Sequence, residues 1–480
     1  MNQHLPEVHQ DGEYQTRLLR RELRRHAETL IVLARKQGQR GDFPADTPRR
    51  LARLIEVTAA SIRDGLASAP EKQLKSISGL LHRFTEHLRY VERSGIASTP
   101  WSMIQATEAF LKLQTGPESY FIMRPQWAYN YCIVGEFVSA YRHEIDACDW
   151  LDAEAWRSSA DLQGKPQIYC MSFPRIERLN CLMHAMWGHE VGHIIANKWI
   201  ANKFDALWRD EVEAVEKAIR EKVMRNPPPD VSLFKETSID SLVSEQASEV
   251  LKVLQHGLTE LICDAVGVEL MGPAAVCAAF EFSSRFEPDV NPVGCEYYPP
   301  WRYRIRRMLE RCKEDLEKPT GEQRADAQDV FGPFFLWFAR IVDYTKQRLD
   351  VDELGSQTVS KLAYDIIEIR WNAVAREALL PLVGGGYRLR DHSGAIRALA
   401  ERLSADIPPN EHGQWPDGQA ASLPDILNAG WVFKISREET DGGGLSVAEE
   451  AKLNRLLLKG IEGSYVHSTF GPAIRDGGSP

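Results

Sequence analysis

The chain has 480 residues, 43% hydrophobic and 26% charged, with a formal net charge of −10 at pH 7. That length suffices for a large core and more than one lobe, and the composition is that of an ordinary globular protein. The acidic balance argues against nucleic acid or an anionic membrane as the main partner.

The opening segment "MNQHLPEVHQDGEYQ" is polar and lacks the apolar stretch of a secretory signal. No apolar run approaches the roughly 18 residues needed to span a bilayer, so no membrane span is expected. The eight cysteines, at positions 132, 148, 170, 181, 263, 277, 295 and 312, are irregularly spaced and form no C-x-x-C pair. Reduced thiols in a cytoplasmic protein are the expectation.

In chain order, residues 13–36 carry apolar positions at helical spacing, and helical stretches follow near 48–66 and 71–93. Residues 1–95 therefore read as a helical N-terminal region. Its run "RLLRRELRRH" is expected to be a solvated helix face rather than a partner site. "ESYFIMRPQWAYNYCIVGEFVSAY" (118–141) suits strands or a buried helix, and periodicity does not decide between them. "PQIYCMSF" (166–173) reads as a strand.

Helical patterns follow at 176–202, 205–223 and 238–271, the last with a break near Gly257. "RNPPPD" (225–230) reads as a loop, "EPDVNPVGCEYYPP" (287–300) as irregular, and "WRYRIRRMLERCKEDLE" restarts a helix. "KPTGEQRADAQD" (318–329) suggests a boundary. Beyond it, helices are expected near 330–349, 357–380 and 445–460, with a tail of flexible composition. The expected fold is α+β but mainly α. A catalytic core with a small sheet (96–317) would be flanked by helical regions (1–95 and 318–480).

The chemistry concentrates in "HEVGH", His189 to His193. Residues four apart share a helix face, so His189 and His193 can present ring nitrogens to one ion. Glu190, one residue on, reaches a water at that ion rather than the ion itself. The competing reading is two helix histidines satisfied by hydrogen bonds. Three ionisable groups in a helix with apolar flanks ("CLMHAMW", "IIANKWI") favour the metal, because burying them unpaired is costly.

Catalytic zinc needs a third protein ligand. A metzincin-type extension would place Gly and His where Ala196 and Trp199 stand. Glu213 has a thermolysin-like separation but sits in a charged amphipathic stretch with Lys217 four residues on. "ELICD" suits better. Glu260 and Asp264 share one face in apolar surroundings, so Glu260 can bind the ion while Asp264 accepts the Nδ1–H of a ligand histidine. His256 shares the face of Glu260, whereas His184 lies off the metal face and reads as a packing residue.

"HEVGH" followed after a long insertion by "ELICD" resembles the gluzincin zinc metallopeptidases, whose pattern is H-E-x-x-H and then E-x-x-x-D. "YYPPWRYRI" (297–305) is similar to a segment of the CAAX prenyl endopeptidase/HtpX-type peptidases, with Tyr298 where those have histidine and Arg304 matching their arginine. The resemblance spans about residues 165–315 and lacks the membrane helices of those relatives. It implies a gluzincin-like core with Zn²⁺ on His189, His193 and Glu260. Glu190 would act as general base, Arg304 and Tyr298 beside the reacting oxygen, and a peptide or protein would be the substrate.

The strand 166–173 is expected to be a sheet edge that pairs with extended substrate. The large helical flanks suggest a regulatory protein partner and narrow specificity. Two other readings stand beside the peptidase: a catalytically idle metal-binding scaffold, and a zinc hydrolase acting on a non-peptide amide or ester.

Overall fold

A computed structural model describes residues 9–148, 150–151, 165–225, 236–285, 297–317, 358–382, 386–413, 418–441 and 444–475. It is mostly helical with a small mixed sheet. The chain divides into two compact units, Met1–Arg178 and Leu179–Pro480. The sheet shares its core with the N-terminal helices, through Ile122, Ile168 and Cys170. Parts of the expected loops at 225–230 and 287–300, the boundary at 318–329 and the helix at 330–349 lie outside the described residues.

In the first unit, α1 (His9–Gly38) buries Leu23, Ala27, Leu30, Ile31 and Ala34, a stripe at the helical repeat. It packs with α2 (Thr47–Gly65) and α3 (Leu74–Glu92), whose buried faces carry Ile55, Ile62, Leu81 and Phe84. Arg17, Arg21, Arg24 and Arg25 of the arginine run are exposed, as expected of a solvated face, whereas Arg20 is half-buried. Arg25 pairs with Glu22, and Arg20 donates to the carbonyls of Ala67 and Ala69 just past α2.

After α4 (Trp101–Thr115), the ambiguous stretch resolves into strands β1 (Ser119–Gln126) and β2 (Cys132–Val134), then α5 (Phe137–Asp146). Glu136 caps α5 by accepting from the amides of Val138 and Ser139, and its Oε1 also accepts from the amide of Ile168. One carboxylate thus ties the helix start to the next strand.

That strand, β3 (Gln167–Pro174), corrects an expectation: it is the centre of the sheet, not its edge. It runs parallel to β1 from Ser119↔Gln167 to Gln126↔Pro174, and antiparallel to β2 from Cys132↔Ser172 to Val134↔Cys170. Its side chains are buried from Ile168 onward, the pattern of an internal strand covered on both faces.

The second unit holds α6 (Trp187–Trp199), which a π turn at Ile200–Phe204 joins to α7 (Asp205–Arg225). The helix begins eleven residues later than the pattern at 176 suggests, because two 3₁₀ turns, at Arg175–Glu177 and Leu182–Met186, come first. α8 (Glu236–Met271) is one continuous helix with no break at Gly257. From Glu260 to Met271 every residue is buried, including Leu261, Ile262, Val266 and Leu270. A helix apolar on every side must be enclosed by others, and α6, α7, α9 (Pro273–Ser283), α10 (Trp301–Glu317) and α11 (Thr358–Leu379) enclose it.

Gly272 ends α8 at φ +62°, a conformation open to glycine, and Pro273 starts α9. The buried Asn428 clamps this corner, accepting from the amide of Ala274 and donating to the carbonyl of Met271. The unit continues through α12 (Leu389–Ser404), a short hairpin of β4 (Glu411–His412) and β5 (Gln419–Ala420), and α13 (Leu423–Asp441). It closes with α14 (Val447–Arg475). Among the described residues, no helix is long and apolar enough to cross a membrane.

Candidate metal centre

Helix α6 lies against α8 at a separation that its glycines permit. A Cβ on Gly192 would stand 2.5 Å from Cys263 Cα, and one on Gly188 would stand 3.1 Å from Gly267 Cα. Both pairs are four residues apart, so the two helices meet along smooth stripes. This close approach sets His189 and His193 of α6 opposite Glu260 and Asp264 of α8. His184, on the preceding 3₁₀ turn, is fully buried and stacked on Trp187 at 4.3 Å between centroids. It packs, as its position off the metal face implied.

Each imidazole is engaged at Nδ1, with Nε2 facing Glu260. His189 Nδ1 lies 2.8 Å from Asp264 Oδ1, and His193 Nδ1 lies 3.3 Å from Cys263 Sγ. His189 Nε2 is 3.6 Å from Glu260 Oε2, and His193 Nε2 is 4.0 Å from Glu260 Oε1. Donors on a tetrahedral zinc, with bonds of about 2.0–2.2 Å, stand roughly 3.3–3.6 Å apart. The two separations to Glu260 are therefore close to the spacing that zinc donors require.

Arg304 of α10 lies beneath the carboxylates. Its Nε donates to Asp264 Oδ2 and its Nη2 to Asp264 Oδ1, both at 2.8 Å, while Nη1 lies 2.9 Å from Glu260 Oε2. Its guanidinium also covers the ring of Trp301 at 4.2 Å. The resemblance placed Arg304 beside a reacting oxygen. In the structure its donors meet Asp264 and Glu260, and Nη2 also lies 3.3 Å from His189 Nδ1.

The electrostatics follow from this packing. Burial would raise the Asp264 carboxyl, but the charge and hydrogen bonds of Arg304 outweigh it and hold the group down at about 2. For His189, burial opposes protonation, and the hydrogen bond and charge of Asp264 outweigh it, so its affinity for a proton is raised. His193 has no carboxylate on Nδ1. Burial and the neighbouring His189 lower it to about 4, which leaves it neutral and able to bind a metal at neutral pH.

Cys263 is the residue the sequence reading passed over. Donor atoms of His189, His193 and Cys263 lie within 4.8 Å of one another, so the thiol is a rival third ligand. In the absence of an ion, burial and the charges of Glu260, Asp264 and Glu190 push it well above the usual thiol range; a bound cation would act in the opposite sense. Glu260, whose oxygens face both Nε2 atoms, and Cys263 are thus two candidates to complete a ligand set with the histidines. The signal for Cys263 was its place three residues after Glu260, on the same side of the helix.

The other candidates separate clearly. Glu190 is buried on α6, one residue past His189. Glu213 is exposed on α7, in keeping with its charged surroundings. The ring of Tyr298 sits 5.7 Å from that of His256, which lies one turn before Glu260 on α8, and His256 also stacks on Tyr297.

The chain matches no protein-family model, no curated protein and no solved structure.

Proposed function

We propose that the protein is a zinc-dependent metallopeptidase of gluzincin type, with His189, His193 and Glu260 as ligands and Glu190 as general base. The observation that carries this reading is the division of labour on each imidazole. Asp264 and Cys263 engage the Nδ1 atoms, leaving both Nε2 atoms beside Glu260. Paired histidines oriented from behind in this way are the arrangement a metal site requires.

Zinc held there supplies Lewis acidity toward a substrate carbonyl and makes a water more acidic. Glu190, buried and adjacent to His189 in the chain, takes the proton of the attacking water and returns it to the leaving amine. Asp264 keeps Nδ1 of His189 engaged, and Arg304 holds Asp264 and Glu260 in register. The substrate is a peptide or protein, the site of action is the cytoplasm, and the helical flanks serve a regulatory partner.

A second reading, a metal-binding scaffold without catalysis, draws on the same Arg304 network, which already satisfies much of the buried charge. Glu190→Gln separates the two. It keeps size and one acceptor oxygen but cannot take a proton, so hydrolysis falls by about 10²–10⁴-fold while fold and zinc content persist. New peptide termini are compared in cells expressing wild type or the variant. Identical termini would remove the peptidase reading and leave the scaffold.

A further inference from the structure

We propose that a cavity in the first unit, at the carboxyl ends of β1 and β3, binds a phosphate monoester group. The cavity measures about 130 Å³ and is lined by Arg93, Arg175 and Arg178 with Ser98, Gln126 and Trp127. Among the described residues, none that lines it is acidic. Its volume is several times the roughly 30 Å³ that a water occupies in the liquid, room for a tetrahedral oxyanion with part of its hydration.

The placement follows from topology. β1 and β3 are parallel and end side by side at Gln126 and Pro174, so the segments that follow both strands open at the same end of the sheet. Crevices outside the carboxyl ends of parallel strands are where open sheets take ligands. Arg175 and Arg178 come from the segment after β3, Trp127 follows β1, and Arg93 and Ser98 belong to the segment after α3. Three guanidinium groups from two segments thus line one small space.

The side chains are arranged for an anion. Arg175 lies over the Trp127 ring at 4.6 Å, and Arg178 Nη1 donates to the carbonyl of Ala97 at 2.8 Å, which steadies both groups. Glu177, the acid between them in sequence, is buried and accepts from the Tyr129 hydroxyl at 2.8 Å. Among the described residues, neither Arg93 nor Arg175 makes an ion pair with a carboxylate. A phosphate monoester carries about −1.5 to −2 charge at pH 7 and three acceptor oxygens, matching three forked cations better than a single carboxylate does.

The monoester has two possible sources, a small phosphorylated molecule or a lipid headgroup. Trp127, which lines the cavity, is 78% exposed, and Ile176 and Ile96, next in sequence to the lining residues Arg175 and Ala97, are 74% and 50% exposed, which suits the second source as a shallow membrane anchor. Calorimetric titration of the full chain with O-phosphoserine and with inorganic phosphate, at about 0.15 M ionic strength, tests the first source. Co-sedimentation with phosphatidylcholine vesicles, with and without phosphatidic acid, tests the second.

Binding is expected in at least one arm, weakened about tenfold by Arg93→Gln or Arg175→Gln, as loss of a charged hydrogen bond implies. Both side chains are exposed, so melting temperature should not move. Binding to phosphatidic acid vesicles alone, lost in Trp127→Ala, assigns the headgroup; binding to the soluble probes assigns the small molecule. No binding in either arm, or undiminished binding when Arg93→Gln and Arg175→Gln are combined in one chain, would overturn the proposal.

Discussion

Arg304 grips Asp264 with two parallel hydrogen bonds of 2.8 Å, and both side chains are about 3% exposed. The same Asp264 oxygen that meets Arg304 Nη2 also meets His189 Nδ1, so the arginine on α10 steers a histidine on α6 through an acid on α8. Removing one member of a buried pair strands the other charge, at a cost of about 3–5 kcal/mol. Arg304→Ala should therefore unfold at markedly lower temperature, with or without metal.

Arg304→Lys keeps the positive charge but not the planar fork. It should leave the protein folded while zinc affinity drops about 10–100-fold, the usual effect of losing support behind a ligand. Competition with a chromogenic chelator measures this. Unchanged zinc affinity in Arg304→Lys would mean that the ligands hold their places without the arginine.

The contact between Gly192 and Cys263 predicts an unusual response to alanine. In an exposed helix, glycine to alanine gains up to about 1 kcal/mol. On α6 the new Cβ would meet Cys263 Cα at 2.5 Å and its carbonyl oxygen at 2.9 Å, backbone atoms that cannot turn aside. Gly192→Ala should thus destabilise by about 1–3 kcal/mol and widen the gap between His193 and Glu260, lowering zinc affinity. Gly79→Ala on α3, where a Cβ meets nothing within 4 Å, is the matched control and should stabilise. Thermal melts of the two variants should shift in opposite directions.

In the first unit, His87 makes acid stability measurable. It is buried, hydrogen-bonded to the Tyr141 hydroxyl and stacked on Phe137 at 4.1 Å. Burial first, and the charge of Arg83 second, lower it from 6.5 to about 4. The folded form holds this ring neutral, whereas the unfolded chain protonates it below about 6.5. Its contribution is therefore present above pH 6.5 and is lost as the pH falls toward 4, amounting to on the order of 3 kcal/mol. Urea midpoints of wild type should fall more steeply between pH 6.5 and 4 than those of His87→Phe. Parallel slopes would show that this histidine does not titrate with unfolding.

What the sequence disclosed was whatever a single helix turn encodes. His189 with His193, and Glu260 with Asp264, are both four apart, so each pair shares a face whatever surrounds it. Features that depend on a second element were hidden. An apolar strand such as "IYCMSF" announces burial but not how many neighbours it has, so the central place of β3 emerged only from its register with β1 and β2. The late start of α6 reflects 3₁₀ turns, whose short hydrogen-bonded stretches leave no clear periodicity. Arg304 was visible as a residue, but its attachment to Asp264 was set by α10 packing on α8.

The third ligand is the sharpest point of test, because Glu260 and Cys263 stand within one turn of each other on α8. Glu260 brings a carboxylate to within 3.6 Å of one imidazole nitrogen and 4.0 Å of the other. Cys263 meets His193 at Nδ1, the nitrogen on the far side of the ring from Nε2. Glu260→Ala should therefore lose zinc, while Cys263→Ser retains it with affinity within about tenfold, since serine can still meet Nδ1. Glu213→Ala, on the exposed face of α7, should be without effect. Zinc content after dialysis, measured by atomic emission for all three variants beside wild type, decides the matter. Loss of the ion in Cys263→Ser with full retention in Glu260→Ala would make the centre a His–His–Cys site. That outcome would remove the gluzincin ligand set from this protein.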